Sequence, residues 1–354
     1  MSSRLSPADA RSATAWVASL SPWPKQFGLD RMHLLLERLE HPERRYAAVH
    51  VVGTNGKSTA TRTIAALLQA EGRSAGAYTS PHVSGWSERI WIDGAEADFE
   101  RAVARIRPHA EAIGATQFEA LTAAALAEFA EQGIDVAVVE AGLGGRLDAT
   151  NVVDAEVVLL TNVSLEHTEV LGETPEQIAE EKVAVAHAAR VVVLPDNRYA
   201  NLLPKSAKIV TGGAREAAES FLGRTIDRDV VALLPGRLER RGRELWDGAH
   251  NPAGTAWLRA QVTDTYGVVV ASILRDKDAD AMLADLAQLA PAMIATQSTN
   301  PRALFAADLA ARAARHFREV NTEPDPRRAL ARARESTREG ILVTGSLYLI
   351  ADLS

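Results

Sequence analysis

The run Ala47-Ala48-Val49-His50-Val51-Val52, followed at once by Gly53-Thr54-Asn55-Gly56-Lys57-Ser58-Thr59, constrains this chain more than any other feature. The uncharged, valine-rich run reads as a buried strand. The glycines end it, and from about Lys57 to Ala70 the pattern turns helical, with Gly72 placed to stop the helix. Such a turn aims backbone N–H groups at an anion, and its glycines let the backbone come close to phosphates. Lys57 would reach the terminal phosphates of a nucleotide, and either Ser58 or Thr59 would offer a hydroxyl to Mg2+. The usual phosphate loop has four residues between its first glycine and Gly-Lys. Here Val51 stands in that place and the glycine comes at Gly53, so the loop is a compact variant. The plainer alternative is a strand–helix turn that carries a surface lysine.

The same alternation continues down the chain. Short strands are expected at 74–79, 135–140, 156–161 and 191–194, with helices at 116–132 and 175–189. From 197 to 229 the pattern weakens, and 233–237 reads as a junction. Strands near 244–246, 267–273, 293–296 and 341–344 then alternate with helices at about 251–265, 278–289, 303–316 and 325–338. This predicts an α/β protein with an N-terminal P-loop-type ATPase domain, 1–233, built on a mostly parallel sheet. A smaller C-terminal Rossmann-like α/β domain, 234–354, completes it.

Composition narrows the partners. The net charge is −7, which argues against a nucleic-acid binder that works through bulk positive charge. With no cysteine, disulfides, thiolate metal sites and a cysteine nucleophile are all excluded. No apolar run reaches the roughly 20 residues of a membrane span, and residues 1–20 lack the apolar core of an export signal. A cytoplasmic monomer acting on small molecules is the expectation.

Read with its surroundings, the loop resembles the Mur ligase superfamily, and more closely its folylpolyglutamate/dihydrofolate synthase branch. TSPHVSGWSERIWIDG (79–94), TQFEALTAAALAEF (116–129), VVEAGLGGRLDATNVV (139–153) and TNVSLEHTEVLGETPEQIAEEKVAV (161–185) follow in family order. PGRLE (235–239), DGAHNP (247–252), DKDADAML (276–283) and TGSLYLI (344–350) complete the series. The segments EAGLGGRLDATN and DGAHNP are the most specific.

The resemblance implies an ATP-dependent amide ligase that adds L-glutamate to dihydropteroate or to a folate through an acyl phosphate, with ATP and Mg2+. A Mur-type ligase for another carboxylate, or a non-catalytic nucleotide- or folate-binding protein, are the alternatives. The nucleotide would be held by Gly53 to Thr59 and by Arg237 and Asp247. Glu140 and His167 lie at or just past the carboxyl ends of buried strands, where α/β folds place their sites. With Ser58 they are the implied Mg2+ ligands. Read alone, Glu140 would be a salt-bridge partner and His167 a loop histidine. Lys182, on composition a solvated helix position, matches a lysine that becomes a carbamate and metal ligand in the family. Lys57, Lys182, Asp247 and His250 form the implied catalytic set. The acid substrate would lie against Ser80-Pro81-His82 and Phe118, with Arg89 and Arg146 near its carboxylates and Asp148 also among its contacts. His250 and Ser346 would hold the incoming glutamate. As an isolated residue, Asp247 would instead cap the helix that begins at Pro252.

Three departures stand out. The loop reads Gly-Lys-Ser-Thr where the branch usually has Gly-Lys-Gly-Ser. The stretch from Pro195 to Pro235 is short, so edge strands are expected to be missing. An asparagine that touches the nucleotide is absent from Gly213-Ala214-Arg215-Glu216, where Arg215 is the available substitute.

Overall fold

The computed structural model describes residues 12–230 and 232–354. The first half of the segment read for an export signal, residues 1–11, lies outside them. The chain divides into two compact units, Met1–Ala232 and Leu233–Ser354.

The first unit holds strands β1 (Ala47–Val52), β2 (Ala75–Tyr78), β3 (Ile90–Ile92), β4 (Ala95–Glu96), β5 (Val136–Glu140), β6 (Val157–Leu160), β7 (Val191–Leu194) and β8 (Lys208–Thr211). Its helices are α1 (Ala13–Ser19), α2 (Asp30–Arg38), α3 (Lys57–Ala70), α4 (Phe99–Ile113), α5 (Gln117–Gln132), α6 (Thr168–Leu171), α7 (Pro175–Val183) and α8 (Ala214–Leu222). The strands form one eight-stranded sheet in the order β4-β3-β2-β5-β1-β6-β7-β8. The six strands from β2 to β8 are mutually parallel, and β3 and β4 add an antiparallel edge.

Side chains alternate across this sheet, as the two-residue period requires. Ala48, Val52, Val139, Val158 and Val192 join one core with α2, α4, α5 and α7. Val49, Val51, Val138, Leu159 and Val193 join a second core with α3 and α8. Both faces are covered, which is why these strands carry almost no polar residues. Each fully buried Val or Leu contributes about 1.5–3 kcal/mol relative to exposure.

Helix α5 shows how local sequence fixes an element. Thr116 and Glu119 form a capping box at its start, and Gly133, at φ 64°, closes its end in the left-handed region. Its alanines are nearly all buried, so the helix can lie flat on the sheet.

The second unit holds β9 (Glu239–Arg241), β10 (Glu244–Trp246), β11 (Tyr266–Ala271), β12 (Ala292–Ala295), β13 (Glu319–Thr322) and β14 (Gly340–Thr344). Helices α9 (Pro252–Gln261), α10 (Ala279–Leu286), α11 (Ala306–Ala313), α12 (Pro326–Ser336) and α13 (Leu347–Leu353) lie between and after them. The sheet order is β13-β12-β11-β14-β10-β9. All neighbours are parallel except β9 and β10.

The structure corrects several sequence expectations. The helix expected over 175–189 stops at Val183 and continues as a 3-10 turn, Ala184–Ala188. The weak stretch 197–229 contains an edge strand, β8, and helix α8. Strand β8 is mostly exposed, so no alternating apolar signal marks it. Arg215, the residue named in place of the missing asparagine, is engaged with residues 226–229. Its guanidinium donates to the carbonyls of Ile226 and Arg228 and pairs with Asp229.

Candidate active site

The loop after β1 sits at the carboxyl ends of parallel strands, the usual place for a site in such a sheet. Thr54 N donates to Asn162 O at 3.0 Å, and Asn55 N donates to Asn162 Oδ1 at 2.9 Å. Thr161 Oγ1 donates to Asn55 O at 2.7 Å. The loop is therefore tied to the chain leaving β6. Gly53, at φ 145°, has no room for a side chain, since a Cβ there would lie 2.0 Å from Thr161 Oγ1. Gly56, at φ 79°, turns the chain into α3, whose start has no side-chain cap. The first-turn N–H groups of an uncapped helix are donors in need of an acceptor. Lys57 folds back over the loop, its Nζ 3.0 Å from Gly53 O and 3.1 Å from Thr54 O.

Ser58 is buried beneath this loop, and its Oγ donates to Glu140 Oε1 at 3.0 Å. Glu140, the last residue of β5, accepts from Ser80 N at 2.9 Å with its other oxygen. It is thus Ser58, not Thr59, whose hydroxyl reaches the acid. Among the described residues no three His, Asp or Glu side chains gather around one point. A hydroxyl and one carboxylate are hard oxygen donors, and they fit Mg2+, which typically binds one or two carboxylates plus waters and substrate phosphates.

The other implied ligands lie elsewhere. His167 has a left-handed backbone and a side chain 42% exposed, with Nδ1 3.9 Å from Glu169. The structure gives it no contact with Glu140 or Ser58.

Lys182 is buried, contrary to the solvated face that composition suggests. Its Nζ donates to Glu166 Oε1 at 2.6 Å and to Gly53 O at 3.0 Å. Burial pushes its pKa below the usual lysine value, with Lys57 acting the same way and Glu166 opposing both. Burial raises the Glu166 carboxyl, but the charges of Lys182 and Lys57 overcome it, so the net shift is downward. Glu166 escaped the sequence reading. Its one signal was an acid directly before His167 in the segment after β6.

The segment after β2 makes a second cluster. Arg89, buried, donates from Nε to His82 Nδ1 at 3.0 Å, so neutral His82 carries its hydrogen on Nε2. Burial, with Arg89 adding to it, lowers the His82 pKa to about 4. The His82 and Trp86 rings lie 4.4 Å apart. Ser80 and Pro81 join β2 to this cluster, Ser80 through the bond to Glu140. Phe118 lies 6.1 Å from the Tyr78 ring and presses on Gly142, where a Cβ would come within 2.5 Å of its ring.

Two expected substrate residues have structural partners. Asp148 is buried and accepts from Gly142 N, Leu143 N, Thr150 N and Thr150 Oγ1, so it shapes the glycine-rich loop from inside. Burial raises its pKa against those four bonds. Arg146 pairs with Glu181 at 2.8 Å and with Glu180 at 3.6 Å, which holds the loop to α7.

In the second unit, buried Asp247 follows β10 and accepts from Leu238 N and Ala249 N, both at 2.9 Å. It clamps the Gly236–Leu238 turn, while the cap of α9 is Asn251, whose Oδ1 accepts from Gly254 N at 2.7 Å. Burial raises the Asp247 pKa; the bond from Leu238 and the charge of Arg237 oppose it. Arg237 Nη1 lies 3.2 Å from Gly236 O. His250 Nδ1 is 2.9 Å from Gly248 O. A carbonyl only accepts, so His250 is protonated on Nδ1. Ser346 is buried and caps α13 through Tyr348 N at 3.1 Å.

Comparison with known proteins places this geometry. The family model for the Mur ligase middle domain matches residues 51–231, and that for the Mur ligase glutamate ligase domain matches 236–347. The dihydrofolate synthase/folylpolyglutamate synthase of Bacillus subtilis is 29% identical, covering 98% of this chain and 97% of its own. That alignment runs over 422 positions against a chain of 354, so the relative carries segments this chain lacks. A solved structure of Mycobacterium tuberculosis folylpolyglutamate synthase complexed with ADP superposes with a TM-score of 0.86 at 30% identity, covering 95% of each chain. A bifunctional folylpolyglutamate synthase/dihydrofolate synthase solved with Mn, AMPPNP and L-glutamate bound superposes at 0.82 and 27% identity, covering 97% of each. Among the described residues no helix is long and apolar enough to cross a membrane.

Proposed function

The chain belongs to the Mur ligase family, in its folylpolyglutamate synthase/dihydrofolate synthase branch, and from that premise we propose that it joins L-glutamate to a pterin-bearing carboxylic acid at the expense of ATP. The observation that carries this reading is the uncapped start of α3, with Lys57 above it and the buried Ser58–Glu140 pair below. We assign residues 1–233 to ATP binding and residues 234–354 to glutamate presentation.

In the first step a carboxylate oxygen of the acid attacks the γ-phosphorus of ATP, and the bond to the β-phosphate oxygen breaks. The developing charge is spread over phosphoryl oxygens, so cationic and N–H donors count for more than covalent protein chemistry. The first-turn N–H groups of α3 and the Lys57 ammonium are those donors. Mg2+ held by Ser58 and Glu140 would neutralise phosphate charge. In the second step the glutamate amine attacks the acyl carbon, inorganic phosphate leaves, and the amine nitrogen gives up a proton. His250, held by its Nδ1 bond to Gly248 O, is assigned to the glutamate side. We assign Arg237 and Asp247 to the nucleotide, and Ser346 to the glutamate side through the start of α13. Phe118 and the Ser80–His82 segment with Arg89 are proposed to receive the acid substrate.

Lys182 fits conversion to a carbamate. That reaction needs the neutral amine to add CO2 and lose a proton, and burial lowers the cost of the neutral form. A carbamate beside Glu166 would set two anions together, which calls for a second divalent cation. His167 lies on the same segment as Glu166 and is proposed to join it only when ligands are bound. The protein is proposed to work as a cytoplasmic monomer, drawing on the ATP pool there; light scattering on the purified protein tests the monomer.

The deciding experiment measures phosphate release from ATP with Mg2+ and L-glutamate, using dihydropteroate, tetrahydrofolate or no acceptor. Release that requires glutamate and one pterin acid is expected, and it names the branch. ATP binding without release on any pterin acid would overturn the folate substrate and leave another carboxylate or a binding role.

A further inference from the structure

His50 lies inside the sheet of the first unit, in the middle of β1, and is wholly buried. A buried imidazole among valines is an expensive choice if it only fills space, because its polar atoms lose water. Its Nδ1 has no hydrogen-bond partner among the described residues. Its Nε2 lies 2.9 Å from Thr150 Oγ1.

The direction of that bond follows from the next residue. Asp148 takes two backbone N–H groups on Oδ2, from Gly142 and Leu143, and one on Oδ1, from Thr150. A carboxylate so surrounded by donors only accepts. The Thr150 hydroxyl, 2.5 Å from Asp148 Oδ1, therefore gives it its single hydrogen. What remains on Thr150 Oγ1 is a lone pair, so His50 must donate from Nε2. The imidazole is neutral, the Nε2–H tautomer, with an unpaired Nδ1. Burial, reinforced by the charge of His187, lowers its pKa to about 3, in keeping with that state.

The chain of bonds ends on the glycine-rich loop. That loop is wedged on both sides. A Cβ at Gly142 would lie 2.5 Å from the Phe118 ring, and one at Gly145 would lie 2.5 Å from Lys182 O. There is no slack, so a small shift of the loop moves either neighbour.

We propose that His50 is a positioning residue. Through Thr150 and Asp148 it holds the loop 142–148 in the register that sets Phe118 against Gly142 and the end of α7 against Gly145. It touches no substrate. The kinetic part of the proposal rests on the ligase reading; the structural part does not.

The test uses the full chain and the substitutions Thr150→Val, Thr150→Ser and His50→Gln. Thr150→Val keeps the side-chain shape and removes the hydroxyl. Amide hydrogen exchange at Gly142 and Leu143 is expected to quicken about tenfold in Thr150→Val. KM for the acid substrate is expected to rise by about the same factor while KM for ATP holds. Thr150→Ser and His50→Gln, which restore the hydroxyl and keep a donor, should return both to near the parent values. Nitrogen-15 spectroscopy of the unsubstituted protein should place the His50 hydrogen on Nε2. A hydrogen on Nδ1 overturns the proposal, whether or not the variants fold. So do unchanged exchange rates in Thr150→Val, or a loss there that Thr150→Ser does not restore, which would assign the effect to packing. If no pterin acid is turned over, the ligase reading fails, and exchange with the tautomer still decides the relay.

Discussion

Lys182 and Glu166 form a pair whose partners are brought together from two separate segments, α7 and the loop before α6. The pair is buried on the lysine side, where only 2% of the side chain is exposed, against 18% for Glu166. Removing one member of such a pair leaves an uncompensated charge, which is costly. Glu166→Gln is expected to destabilise the first unit by about 3 kcal/mol at neutral pH, read by urea unfolding. The sign with pH follows from the two shifts. Glu166 titrates below its unfolded value, so its stabilisation is present above the ordinary carboxylate range and is lost as pH falls through the folded value. Glu166→Gln should lack that loss on the acid side. Lys182 also titrates below its unfolded value, so the unfolded chain binds the extra proton and stability rises with pH between the two values. In Glu166→Gln that rise should be steeper and begin at lower pH, since the lysine has lost its counter-charge. An unfolding series from about pH 2 to 10 that showed parallel curves for the two proteins would contradict the pairing.

The strand–loop–helix unit β1-loop-α3 offers a test of a different kind. Gly53→Ala would place a Cβ 2.0 Å from Thr161 Oγ1 at a backbone angle that side chains avoid. The loop would have to leave the chain after β6, taking the Ser58–Glu140 contact with it. Nucleotide binding by calorimetry is expected to fall at least tenfold, while the circular dichroism spectrum keeps its α/β form. On α9, Asn251→Ala removes the cap and is expected to cost about 1 kcal/mol in the second unit. Because Asn251 follows His250 directly, KM for glutamate should rise in the same variant. A change in stability with KM unaltered would separate the cap from the site.

Each unit has its own sheet and its own apolar core. A ligand that binds only the folded first unit should protect that unit by mass action, about 2.7 kcal/mol at a hundred times its Kd. With ADP and Mg2+ present, limited proteolysis is therefore expected to slow within residues 12–230, and Lys57→Ala should abolish the protection. Equal protection in the Lys57→Ala protein would place the nucleotide elsewhere.

What the sequence by itself determined was whatever depends on neighbours along the chain. The β1-loop-α3 unit, the buried parallel strands, the start of α7 and the order of the family motifs were all legible, because strand runs, glycine turns and caps are local events. The mostly exposed strand β8, the early end of α7 and the short pieces β9 and β13 carried too little periodic signal to be read. The site divided in the same way. Lys57 and Glu140 could be singled out because they sit in a loop and at a strand end, with the role expected of Glu140 coming from the family resemblance, while Ser58 and Thr59 stayed alternatives. Only the tertiary structure decided that Ser58 rather than Thr59 meets Glu140. It decided likewise that Lys182 leaves solvent to meet Glu166, that Asp148 and Arg146 serve the loop, and that Arg215 is spent on residues 226–229. Those outcomes rest on burial and on contacts between residues far apart in the chain. Charge, hydroxyl and tautomer take their meaning from the groups packed against them.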